Sequence, residues 1–169
     1  VLLFLLRNCL LKTVINYNIN MDNRAKDLQE VIRLYQDHYT WQHMTHKELA
    51  DYLVPSISLN QYHIFRNKSD NVMYGFTNWA YMSNDSHKRF KETGIIEKFD
   101  WDSGKNLWHI DTINTHKGKI NDIYKWTIQN FKKSFDDSKE INWIRTTKSG
   151  DKIKRVNKMK IKDGVRKFK

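Results

Sequence analysis

Helix-period and strand-period stretches interleave along these 169 residues, with no internal repeat and no Pro- or Gly-rich linker. A chain patterned this way is expected to form a single α+β domain, with helices flanking a central antiparallel or mixed sheet. Its length is enough to bury a core of useful size. In NRAKDLQEVIRLYQ, Leu28, Val31, Ile32 and Tyr35 recur at helical spacing. After the polar break DHYTWQHM, Thr45 is placed to cap a second helix, with Glu48 as its capping-box partner. Pro55 is expected to end or kink that helix. QYHIFRNKSDNVMYGFTNWAYM reads as a hairpin turning at NKSDN. SNDSHKRFKETGI reads as a third helix closed by Gly94. NLWHIDTI and INWIRTT alternate as strands. Between them a fourth helix offers Ile120, Ile123, Trp126, Ile128 and Phe131 for burial, and a lysine-studded segment ends the chain.

Residues 1–20 differ in character from the rest of the chain. VLLFLLRNCLLKTV is apolar, but its 14 residues are too few to span a bilayer. It lacks a leading positive charge and a small-residue cleavage site. It is read as a leader-like extension, with the domain at 21–169 starting near Met21; a weak membrane anchor is the other reading. Cys9 is the only cysteine, which excludes an internal disulfide and a thiolate zinc cluster. Lysines and arginines number 30 against 19 acids, a net charge of +11. Such a surface suits an acidic protein, nucleic acid or an anionic membrane, or is a solvated lysine-rich exterior.

The recognisable catalytic signatures are missing. No GxxxxGK[ST], GxGxxG, GxSxG or HExxH occurs, so no motif for a nucleotide phosphate, a hydrolase serine or a metal is present. What remains is a set of loop histidines, His38, His43 and His116, and Asp111 at the end of a strand. A histidine held by a carboxylate is the minimal general-base pair, because the acid fixes the tautomer and supports the imidazolium.

The stretch DWDSGKNLWHID, residues 100–111, supplies a context for that acid. It resembles the D-W-x-S-G-x-x-x-W-x-I-D segment of the RTX toxin-activating lysine acyltransferases, the hemolysin-activating family. LVPSISLNQYHIF, TNWAYMS and INWIRTT…DKIKRVNKMKIKDG resemble further segments of that family, in the same order and at nearly constant spacing. The resemblance implies a fold like the GCN5-related N-acetyltransferases. It implies transfer of a fatty acyl group from acyl-carrier protein to side-chain amines of internal lysines in an RTX protoxin, in the cytoplasm. No metal or cofactor would be needed, since the acyl-carrier protein brings an activated thioester, and its acidity suits the basic surface.

The family's catalytic pair is a His after the first helix and the Asp closing the quoted segment. Asp111 matches the Asp. Gap-free matching puts Trp41 at the His position, whereas a two-residue shift gives Thr40-x-x-His43. His43 is taken as the catalytic histidine, with His38 second and His116 as a substitute base or a plain loop residue. Trp79 and Trp108 are core aromatics that could also line an acyl channel, and Asn78 stands where the family has Ser. Arg145 matches a basic position of the family and is expected to touch the carrier's phosphopantetheine phosphate or an acidic helix. Lys154 belongs to a ribbon with Lys152, Arg155, Lys158 and Lys160 that could receive the carrier. Two rival readings remain: a homologue that binds carrier or toxin without turnover, and a basic nucleic-acid-binding module. The favoured reading expects no nucleic acid and no stable membrane insertion, and leaves monomer or homodimer open.

Overall fold

The structure, a computed structural model, describes residues 21, 23–116, 118–134, 140–147 and 152–160. The leader-like stretch 1–20 and the chain after 160 lie outside the described residues. Helix α1 covers 23–36. It is followed by α2 (His46–Ser58), β1 (Tyr62–Arg66), β2 (Met73–Met82) and α3 (Asn84–Thr93). A 3-10 turn (Lys98–Asp100) leads into β3 (Asn106–Asn114), α4 (Ile120–Ser134), β4 (Glu140–Thr146) and β5 (Ile153–Lys160). The strands form one sheet in chain order, antiparallel except for the parallel pair β3–β4. The expected single α+β unit with a mixed sheet is therefore present.

Local chemistry accounts for the element ends. The Thr45 hydroxyl accepts from the Glu48 N–H while the Glu48 carboxylate accepts from the Thr45 N–H, a complete capping box. Ser83 caps α3, and Gly94 ends it at φ 70°, where a side chain would be strained. Of the two outcomes expected at Pro55, an end or a kink, the end does not occur: the helix runs on to Ser58. Only the bond that Pro55 cannot donate is lost, and continuing the helix buries Ser56 and Ile57. Helices α1 and α2 pack Val31, Leu34, Tyr35, Leu49 and Leu53 on Phe76 and Ile113 of one sheet face. On the same face, α3 sets Phe90 against Trp101 and Trp108. Helix α4 covers the other face with Phe131 on Trp79 and Leu107, and Ile123 near Phe65.

Candidate functional site

The site begins with a slip of register. Thr77 pairs with Thr112, but Trp79 pairs with His109, so Asn78 alone faces both Ile110 and Asp111. A bulge of this kind bends the strand and changes which face its side chains meet. Ile110 packs toward α3, while Asp111 points to α1 and α2 instead of following the alternation that sends His109 to the α4 side. Asn78 fixes the bulge, its Oδ1 accepting the Asp111 N–H at 2.9 Å. Asn78 is fully buried, and its amide nitrogen reaches Ser56 Oγ of α2 at 3.4 Å.

Two phenols meet the carboxylate. Tyr35 of α1 and Tyr52 of α2 donate to the same oxygen, Oδ2 of Asp111, at 2.8 and 2.6 Å. Oδ1 accepts no hydrogen bond from any described residue. Burial pushes the Asp111 carboxyl above its usual range, and the two phenol hydrogen bonds pull the other way without cancelling it. Both tyrosines are raised well above the ordinary phenol value, by burial first and by the Asp111 charge next. They therefore remain donors at physiological pH. Trp41 stacks on Tyr52 at 5.3 Å and meets Tyr35 edge-on at 5.3 Å, so the position that gap-free matching assigned to the family's His roofs this pair with an indole.

No imidazole donates to Asp111 among the described residues. The direct His–Asp hydrogen bond expected from the sequence is thus replaced by two Tyr–Asp bonds. His43 is exposed, on the α2 side of its loop near Glu48. His38 lies against Tyr39, its Nδ1 accepting the Thr40 N–H at 3.4 Å, and burial lowers its pKa. His116 is exposed beyond the end of β3, near Thr115 and Tyr74. The imidazole linked most closely to Asp111 is His109, behind it on the α4 face. Thr77 gives its one hydroxyl proton to the Asp111 carbonyl at 3.0 Å, so Nε2 of His109 must donate to Thr77 Oγ1. Burial lowers His109 to about 4, and it sits there as a neutral ring.

The quoted acidic stretch divides into two tasks. Asp100 is fully buried and accepts from Arg89 Nη2 at 2.5 and 2.6 Å and from the Glu97 N–H. Burial pushes it up, but hydrogen bonds from Ser86, Arg89 and Glu97 outweigh that and hold it below the carboxylate range. The carbonyl of buried Trp101 and the N–H groups of Ser103 and Gly104 clamp onto the backbone of Tyr81. The first acid and the glycine fasten this loop to β2 and α3; the last acid enters the site. Trp101 also meets Tyr52 edge-on at 6.2 Å, which ties the loop to the phenol pair.

The parallel pairing of β3 and β4 consists of Leu107–Ile141 and Trp108–Asn142 only, although both strands continue. From His109 onward, β3 has no strand partner on that side among the described residues. Trp79 is buried against Phe131 and Trp126 on the α4 face, away from Asp111, and Trp108 is buried beside His87 and Phe90. Arg145 stands directly opposite Arg155 across β4 and β5, both exposed, and Lys154 is exposed beside them. Among the described residues no three His, Cys, Asp or Glu side chains converge as metal ligands would. No helix among them is long and apolar enough to cross a membrane.

Residues 20–160 match the model of the RTX toxin acyltransferase family. The chain belongs to that family. Membership carries the class of reaction with it, toxin-activating acyl transfer. The chain is also 29% identical over 136 residues to an uncharacterized protein of Synechocystis sp., spanning 80% of this chain and 89% of that protein. Tyr35 and Tyr52 escaped the sequence reading because both sit on apolar helical stripes, where they count as core. A buried tyrosine must nonetheless place its hydroxyl, and that demand was the available signal.

Proposed function

We propose that the chain moves a fatty acyl group from the thioester of acyl-carrier protein to the ε-amine of internal lysines in an RTX protoxin. The reaction would take place in the cytoplasm with no cofactor beyond the thioester. One observation supports this above the others: in a chain of this family, the half-buried Asp111 lies on the strand whose pairing to β4 has just stopped. A thioester arm can lie along that unpaired backbone, and the single parallel pair in an otherwise antiparallel sheet favours the likeness to GCN5-related N-acetyltransferases. A lysine ammonium, with a pKa of about 10.4, must give one proton to water before it attacks, and Asp111 would take the second as the amide forms. Arg145 and Arg155 have no carboxylate within ion-pair reach among the described residues. Like charges directly opposed across two strands repel unless an anion joins them, and the carrier's phosphate or an acidic helix would do so, with Lys154 adjoining. Asn78 acts through the bulge it holds, and Trp79 as packing.

A second reading has its own observation. Trp41 roofs the site where gap-free matching expects the family's His, so the chain could hold carrier or toxin without turnover. The test combines purified protein, fatty-acyl carrier protein and a lysine-bearing protoxin segment, read by intact mass. An acyl mass gained on lysine supports the enzyme. Binding of the carrier with no acylated lysine establishes the binder. His43→Ala and His38→Ala in the same assay decide whether an imidazole takes part.

A further inference from the structure

We infer that Tyr52 and Tyr35 act in this chain as positioning residues for Asp111, holding one carboxylate oxygen so that the other receives the incoming amine without an imidazole. This rests on the acyl-transfer reading above and names how that site works.

The geometry is one-sided in a way that a merely structural acid would not need. Both phenols converge on Oδ2, from two helices, at 2.8 and 2.6 Å, while Oδ1 has no hydrogen-bond partner among the described residues. A carboxylate offers about four lone-pair sites, so concentrating both donors on one oxygen leaves the second as a directed acceptor. Each donor is itself fixed. Tyr35 is fully buried between Trp41 and Phe76 at 5.3 and 5.8 Å, and Tyr52 is stacked on Trp41 and edge-on to Trp101. The backbone is fixed too, because Asn78 holds the Asp111 N–H. Rotation of the carboxylate is thus blocked at both ends, which is the task an orienting partner performs in a general-base pair.

The step balances without further groups. The ammonium gives one proton to water; the neutral nitrogen then attacks the thioester carbon while its second proton passes to Oδ1. The C–S bond breaks, the proton moves from Oδ1 to the leaving sulfur, and amide, thiol and carboxylate remain. Burial makes Asp111 a stronger base than an exposed aspartate, and the raised phenols never compete for the amine's proton as acceptors.

The test uses the full chain and two readouts. Tyr52→Phe should lower kcat by about 10- to 100-fold, the size of one charge-assisted hydrogen bond, with little change in KM. It should also move the acid limb of the kcat profile to higher pH, because the carboxylate has lost a donor; Tyr35→Phe should do the same. Carbon-13 detection of the Asp111 carboxyl gives a readout independent of turnover, and its titration should rise in each tyrosine variant. The inference is overturned if both tyrosine variants titrate and turn over like the wild type. It is equally overturned if His43→Ala shifts the Asp111 titration and abolishes turnover. A wild-type chain that acylates nothing overturns the acyl-transfer reading and the amine-receiving role with it; the carboxyl titration then upholds or overturns the tyrosine clamp alone.

Discussion

Replacing His109 with Gln should make the protein resist mild acid. His109 points from β3 to the α4 face with its Nε2 between the hydroxyls of Thr77 and Thr112, and burial lowers its pKa from 6.5 to about 4. Between those values the unfolded chain takes up a proton that the folded chain refuses. The neutral ring's contribution to stability is therefore fully present above 6.5 and is lost as pH falls toward 4. At about 1.4 kcal/mol per pH unit the full span is worth about 3 kcal/mol, and partial exposure of the ring trims this to about 2–3 kcal/mol. The glutamine amide can still hydrogen-bond Thr77 and Thr112 but does not titrate. Urea unfolding of both proteins at about pH 7 and about pH 4.5 isolates the effect, because every other acid-sensitive group is common to the two. Wild type should lose about 2 kcal/mol more than His109→Gln between the two conditions. Equal losses would show that His109 accepts its proton in the folded state, and the buried neutral ring would have to be abandoned.

Other changes probe the site and its supports. Asp111→Asn should abolish acyl transfer in the mass assay while raising the melting temperature near neutral pH. The folded carboxyl is raised, so its ionisation opposes folding as pH climbs past that raised value; the amide oxygen still accepts from both phenols. Gly104→Ala would set a Cβ 2.6 Å from the Met82 carbonyl oxygen and the Ser83 Cα, neither of which can swing aside. A loss of about 1–3 kcal/mol is expected by chemical denaturation, with activity falling as the loop pulls Trp101 from Tyr52. Arg145→Glu should stabilise the β4–β5 pair by about 0.2–1 kcal/mol, since it turns a like-charge pair into an opposite one. The same variant should weaken acyl-carrier protein binding, measured by titration at two salt concentrations; unchanged binding would remove Arg145 from the carrier surface.

The order of helices and strands was readable from the chain because each rests on near neighbours. Apolar spacing, the Thr45–Glu48 box and the Gly94 stop act within a few residues, and each is found where the residues place it. Asp111 was likewise marked by its motif. Pro55 shows the limit even at short range: burial of Ile57 outweighs one missing bond, and burial is a property of the whole fold.

What surrounds Asp111 needed the tertiary structure. Tyr35 lies 76 residues away in sequence and Tyr52 59, and nothing in either helix points to a carboxylate. The bulge opposite Asn78 turns Asp111 to the helix side and leaves His109 on the other face, a choice made by pairing register between two strands. Periodicity along one strand says only that side chains alternate. Which face receives an acid, and whether a phenol or an imidazole waits there, depends on contacts that form only when distant segments are packed together.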